Sequence, residues 1–391
     1  MRVALLGAGG TIAPAIVRDL AASEEVEEIH CLDLDGERAS AVAAEQGEGR
    51  ARGRTVDARD GDALAAALAP ADVLVNAASY RINLHAMDAC LAAGCHYVDL
   101  GGLYHLTARQ LERDEAFAAR GLVAVLGAGA GPGKTNVLAA AAADGLDAVD
   151  EVRCASAGLD EDPPPGLSTP YALATLLDEM TVPPMVVRGG RAQEVPPLSD
   201  GGDVAFPAPI GTRASLLTLH SEVLTLPTSL GAARADFRLS LSPVVEEALR
   251  GLLVRPAEEV AALRPVPPSP RTWSAQHVVV SGTRDGAPAR VVATSVTPPH
   301  EAWGIGGGIL STGSVAAATV RLLAQGRVDG IGALPPEHCL PARELFAELE
   351  RRGTSFRITL EPSAAAAAPV RPQSREVAVA IPARQTPSEV P

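Results

Sequence analysis

Along residues 1–127, short apolar runs alternate with stretches of helical period. The runs predict strands at Val3–Leu6, Ile29–Leu32, Thr55–Val56, Val73–Asn76, Tyr97–Asp99 and Leu122–Leu126. The intervening periods predict helices at Ala13–Ala22, Glu37–Glu45, Asp62–Ala69, Leu84–Ala93 and Ala108–Arg120. Strands that alternate with helices predict a parallel sheet covered on both faces.

After about residue 147 the pattern changes. Strands are expected at Glu151–Ala157, Met185–Arg188, Ser215–Leu219, Asp236–Ser240, His277–Thr283 and Arg290–Thr297. Asp285-Gly286 signals a hairpin between the last two. Helices are expected at Pro170–Met180 and Pro243–Leu253, so this half reads as a mixed sheet with a few helices. Prolines mark surface loops at 162–166 and 264–270. A helix at Thr312–Gln325, another at Pro341–Arg351 and a strand at Phe356–Leu360 close the pattern. Residues 363–391 are Ala/Pro-rich without apolar period and are expected to be disordered.

Composition narrows the function. With 391 residues and 47% apolar content, two domains with real cores are expected. A net charge of −14 and only 3% aromatics argue against nucleic-acid binding. No run reaches 18 uninterrupted apolar residues, so no membrane span is expected. Met1-Arg2 leads straight into a strand, leaving no room for a signal peptide. Five cysteines, none in a Cys-x-x-Cys pair, argue against a metal site or disulfide framework. The expectation is a soluble cytoplasmic protein without metal. Among the 33 Lys and Arg, Lys134 is the single lysine.

The first strand ends in Gly7-Ala8-Gly9-Gly10-Thr11-Ile12-Ala13. Glycines there permit a tight turn and let N–H groups approach a pyrophosphate at a helix start. Ile12 breaks the G-x-G-x-x-G form, while Gly7, Gly10 and Ala13 satisfy G-x-x-G-x-x-A. Asp33 ends the second strand, where a carboxylate holds an adenosine ribose and favours NAD over NADP. Asp57 and Ala58 close the third strand, and Asn76, Ala77 and Ala78 the fourth, at the edge where a dinucleotide lies.

Residues 128–135 match a relaxed phosphate-binding loop ending in Gly133-Lys134-Thr135. Its late position and Pro132 argue against a nucleotide triphosphatase. Donors at Gly133, Lys134 and Thr135 still predict an anion site suited to a substrate carboxylate.

Taken together, several segments resemble the saccharopine dehydrogenase family, with its lysine 6-dehydrogenase branch. They are Leu5–Gly10, Asp33, 71–78, His96–Asp99, Gly131–Ala139, Phe206–Gly211, His220–Pro227 and Pro336-Glu337. Lys134 stands where the family motif usually has an apolar residue. The resemblance implies an α/β fold: a Rossmann dinucleotide-binding domain (1–130), an inserted mixed α/β catalytic and dimerisation domain (131–305), and a segment (306–362) returning to the Rossmann side. It implies hydride transfer between NAD(P) and an amine or imine carbon of an amino-acid-like substrate, in a homodimer.

Within that frame Asp99, Lys134, His220 and Glu222 are the candidate catalytic groups. Asp99 ends a strand near the nicotinamide end, and His220 and Glu222 stand two apart on a strand-like run, pointing the same way. Thr11 and Ile12 join the cofactor loop. Tyr97, Gly133, Thr135, Asn136, Tyr171 and Arg213 are candidates to line the substrate cleft, Arg213 by forking onto a carboxylate. Rival readings are an imine reductase of a specialised pathway and a non-catalytic dinucleotide-binding protein.

Overall fold

The computed structural model describes residues 1–362; the tail expected to be disordered lies outside the described residues. The chain opens with β1 (Arg2–Leu6), α1 (Ala13–Ala21), β2 (Glu28–Asp33), α2 (Gly36–Gln46), β3 (Ala51–Thr55), α3 (Gly61–Leu68) and β4 (Val73–Asn76). It continues with α4 (Asn83–Ala93), β5 (His96–Asp99), α5 (Leu103–Leu111), α6 (Asp114–Ala118) and β6 (Val123–Val125). The single helix expected over 108–120 is two. The break frees the Asp114 carboxylate to accept the Ala333 N–H at 2.9 Å, tying in the chain's late return.

From β6, α7 (Lys134–Ala143) leads to β7 (Ala148–Asp160), α8 (Leu173–Thr181), β8 (Met185–Arg188), β9 (Arg191–Glu194), β10 (Asp200–Ala205) and β11 (Thr212–Leu217). Then come α9 (Glu222–Leu230), β12 (Arg234–Ser240), α10 (Pro243–Leu252), α11 (Ala257–Ala262), β13 (Thr272–Arg284) and β14 (Ala287–Thr297). The chain returns through α12 (Gly307–Ala324), β15 (Gly332–Leu334), α13 (Pro336–Cys339) and α14 (Ala342–Glu350), and ends in β16 (Ser355–Pro362).

The first sheet has the order β15-β6-β5-β4-β1-β2-β3, with every pairing parallel. Its strands are apolar on both faces. Val3, Leu5 and Val75 pack toward α1 and α12, whereas Ala4, Leu6, Leu74 and Tyr97 pack on the opposite side. The second sheet runs β10-β11-β12-β7-β13-β14-β16, with β8 beside β12 and β9 beside β8. Only its β12–β7 pairing is parallel. The β13–β14 turn forms at Asp285-Gly286, both with positive φ, as the dipeptide predicts.

The return segment divides between the sheets. α12 lies on α1, so close that a Cβ on Gly313 would meet that of Ala15 at 2.7 Å. β15 extends the first sheet, but β16 pairs with β14 on the edge of the second. By length and composition α12 is apolar enough to cross a membrane, yet 72% of it is buried inside the protein. Buried Arg321 of α12 bonds Asp19 at 2.8 Å and Glu348 at 2.6 Å, linking α1, α12 and α14.

Candidate active site

The glycine loop leaves β1 as a tight turn. Gly7 has φ +80°, and a Cβ there would lie 2.5 Å from the Ala78 backbone, so only glycine lets the β1 and β4 ends approach. Gly10 N–H donates to the Gly7 carbonyl, and Gly9 N–H donates to Asp33 Oδ2 at 2.9 Å. The N–H groups of Thr11, Ile12 and Ala13 have no protein acceptor among the described residues. An uncapped helix start with free donors, beside a carboxylate at the end of β2, fits a dinucleotide pyrophosphate and ribose. Asp57 turns to its neighbour: Arg59 bonds it at 2.7 and 2.9 Å and lowers its carboxyl to about 2. Ala58 follows it, buried in the core beside β3.

Asp99 is buried and fully engaged. Gln110 (2.5 Å), Tyr97 (2.9 Å), Asn83 (3.0 Å) and the N–H groups of Gly127 (2.7 Å) and Gly101 (2.9 Å) all donate to it. Burial raises its pKa, against the downward pull of these bonds. Asn76 donates to Asn83 and to the Tyr97 hydroxyl, and accepts from the Ala78 N–H. The expected contacts of Asp99 and Tyr97 with substrate, and of the Asn76 side chain with cofactor, are not what these groups make. They form a buried lattice under the loops that follow β4, β5 and β6. Ala77 carries the backbone of that edge through its bond to Leu6.

The expected anion site at the start of α7 is closed. The N–H of Gly133 donates to Asn136 Oδ1, that of Lys134 to the Gly129 carbonyl, and that of Thr135 to the Ala130 carbonyl. Gly133 has φ +120°, and a Cβ there would strike Gly129 at 2.4 Å, so the loop folds onto itself and leaves no cradle for phosphate. Asn136 also donates to Glu337 at 2.8 Å, which accepts from Ser229 too. The Asn136 side chain therefore pins α7 to α13.

Lys134 is fully buried. Its Nζ donates to Ser311 (2.7 Å) and Thr297 (3.2 Å), and no carboxylate lies within 4 Å among the described residues. Burial lowers its pKa to about 7. Its ammonium bonds two hydroxyls rather than the acidic groups expected to act with it.

His220 and Glu222 do meet, though not on a strand. His220 precedes α9 and Glu222 opens it. His220 Nδ1 lies 3.3 Å from Glu222 Oε2, and Thr135 donates to Glu222 Oε1 at 2.7 Å. The imidazole stacks on Phe237 at 3.5 Å. Its Nε2 is 3.7 Å from Glu179 Oε2, and Glu179 accepts from the Tyr171 hydroxyl. Burial alone would lower the His220 pKa, but the two carboxylates overcome it and raise it to about 9. Glu222 also lies against Gly131 of the loop that follows β6. Sequence reasoning missed Glu179, because its helix carries no motif. Arg213 sits on β11, bonded to the Thr212 carbonyl and apart from this cluster.

One residue earlier on α8, Asp178 reaches the first domain. Its carboxylate accepts from the Tyr80 hydroxyl at 2.7 Å and from Arg81, both just after β4.

Residues 3–125 match the family model for the saccharopine dehydrogenase NADP binding domain. The matched stretch is the first domain, about a third of the chain, and it is there that the chain is similar to the saccharopine dehydrogenase family. Its fold agrees with apo saccharopine dehydrogenase (L-Glu forming) from Saccharomyces cerevisiae, with a TM-score of 0.69 at 15% identity, over 92% of this chain and 99% of that one. Among curated proteins, carboxyaminopropylagmatine dehydrogenase from Synechocystis sp. is 28% identical over 264 residues. That match covers 64% of this chain and 65% of the relative, just under two thirds of its length. The family-model match and the glycine loop together mark the first sheet as a nicotinamide-dinucleotide domain.

Proposed function

We propose that the protein is an NAD(P)-dependent oxidoreductase acting on a carbon bonded to an amine or imine nitrogen, in a substrate that carries a cation. The observation that supports this best is Glu222. It is a buried carboxylate set against the loop at the carboxyl edge of the dinucleotide sheet, with one hydrogen-bond partner on each oxygen. A carboxylate has about four lone-pair sites, so Glu222 retains acceptor capacity for a substrate N–H. With His220 protonated, the group Glu179–His220–Glu222 carries one net negative charge, which favours a cationic nitrogen. The relative's name, a dehydrogenase of an agmatine derivative, agrees with that choice.

The free donors of Thr11, Ile12 and Ala13 would hold the cofactor pyrophosphate, and Asp33 the ribose, which favours NAD. The bound nicotinamide supplies the hydride acceptor or donor. Glu222 takes the proton that leaves the substrate nitrogen during oxidation, or returns it during reduction. His220 stabilises the Glu222 carboxylate before that transfer. The Asp99 lattice fixes the loops, so position rather than covalent chemistry is the protein's contribution.

The deciding experiment is a steady-state assay that follows nicotinamide absorbance with lysine, saccharopine, carboxyaminopropylagmatine and cyclic imines, each with NAD and NADP. Turnover of at least one supports the proposal. Tight dinucleotide binding with no turnover of any of them sinks it.

A further inference from the structure

Two neighbouring residues of α8 face in different directions, and each completes something. Asp178 grips Tyr80 and Arg81 of the dinucleotide domain. Glu179 is 3% exposed and sits opposite Glu222 across the His220 ring. The His220 Nε2 is buried without a hydrogen-bond partner, and the Glu179 carboxylate 3.7 Å away is the nearest anion to it. Among the described residues, no other carboxylate pairs with that nitrogen within 4 Å. Tyr171 faces Glu179, Phe237 of β12 covers one ring face, Cys154 of β7 lies near Glu222, and Thr135 of α7 bonds the far oxygen of Glu222.

We propose that Glu179 is a positioning residue for the reaction: it holds His220 between two carboxylates as the doubly protonated ring, and thereby keeps Glu222 ionised to receive the substrate nitrogen's proton. Because Asp178 on the same turn is anchored to the segment after β4, this trio is complete only when α8 is docked on the dinucleotide domain. The inference rests on the proposed amine or imine chemistry for its consequence, but the state of His220 is open to direct measurement.

The physical basis is the competition between burial and charge. A buried imidazole disfavours its proton, and one carboxylate offsets that less well than two. Desolvation and both carboxylates act on His220, and the carboxylates prevail, pushing its pKa up to about 9. Removing the charge of Glu179 while keeping its shape isolates its share.

The test uses the full chain with 13C-labelled histidine. The His220 resonance is assigned with His220→Asn and titrated from pH 5 to 10 in wild type, Glu179→Gln, Glu179→Asp and Asp178→Asn. Glu179→Gln is expected to lower the His220 titration point by at least one pH unit, and Glu179→Asp to restore most of that shift. Asp178→Asn, which leaves both carboxylates of the trio in sequence but weakens the docking of α8, is expected to move it the same way by a smaller amount. NADH affinity, measured by fluorescence, should stay within twofold throughout. An unchanged His220 titration in Glu179→Gln, or a shift that Glu179→Asp does not reverse, overturns the assignment. Where wild type shows amine or imine turnover, the high-pH limb of kcat/KM should follow the same shift. Absence of turnover counts against the functional reading, while the histidine titration still decides the role of Glu179.

Discussion

The Thr135 hydroxyl donates to Glu222 Oε1 at 2.7 Å, joining the first turn of α7 to the first turn of α9. Because α7 grows out of the loop that follows β6, the carboxylate is held in register with the dinucleotide edge. Thr135→Val keeps the shape and removes the donor. About 1.4 kcal/mol of lost hydrogen bonding corresponds to about a tenfold lower kcat. Thr135→Ser should recover most of it, and Glu222→Gln should lower kcat by about 10²–10⁴-fold. Steady-state rates beside dinucleotide titrations check this; equal rates in Thr135→Val and wild type would contradict it.

Lys134 and His220 should drive stability in opposite directions with pH. The buried Lys134 titrates near 7 when folded against about 10.5 when unfolded, so the unfolded chain binds more protons between those values. Its effect is stability that rises with pH by about 1.4 kcal/mol per unit over that window. His220 titrates near 9 when folded against about 6.5 when unfolded. Its contribution is complete below 6.5 and is lost as pH rises through 9. From pH 7 to 9 the two slopes oppose each other. Lys134→Met should therefore be more stable than wild type at neutral pH, and should expose a stability that falls between pH 7 and 9. Urea unfolding across pH 6–10 measures both curves. A variant no more stable than wild type at pH 7 would show that the lysine lies uncharged at little cost.

On the proposed reading, Asp33 chooses between cofactors. Its Oδ2 accepts from Gly9 and its Oδ1 from the Asp35 N–H, fixing the carboxylate at the end of β2. Replacing Asp33 with Ala removes the ribose acceptor and the repulsion of a 2′-phosphate. The NAD:NADP preference in kcat/KM should shift toward NADP by about tenfold or more, about 1.4 kcal/mol. No shift would move cofactor selection elsewhere in the loop.

For Asp99 the expected loss is structural. Asn in its place points an NH2 group at two or three of the five donors, leaving buried groups unpaired. A cost of about 2–4 kcal/mol in unfolding free energy follows, with weaker dinucleotide binding as the loops loosen. Urea denaturation and NADH titration would show both, and unaltered stability would count against the lattice.

The first sheet was legible because periodicity in Val3–Leu6, Val73–Asn76 and their neighbours reports burial on both faces directly. The pairing of His220 with Glu222 was legible as well, but for the wrong geometric reason: Glu222 opens a helix, and α9 carries Pro227, which masked its period. Asp99 and Asn76 misled because a polar residue at a strand end looks the same whether it meets ligand or protein. What decides between them is a set of donors far away in sequence, such as Gln110 and Gly127. The anion site at α7 failed for a related reason. The glycines that would wrap a phosphate let the loop bond its own carbonyls instead. Glu179 was invisible, since its role arises only from the fold that brings α8 to α9.

β16 carries one more consequence. The chain crosses between its two sheets at α7, again at α12, and finally through β16, while β15 completes the first sheet about 200 residues after β6. No single cut yields two whole halves. A fragment ending near residue 130 would lack α12 and β15, and one beginning there would still contain a helix and a strand that belong to its neighbour. The last eight described residues therefore act as a latch: synthesis must reach β15 before the first sheet has all its strands and β16 before the second has, and melting is expected to run as one cooperative event.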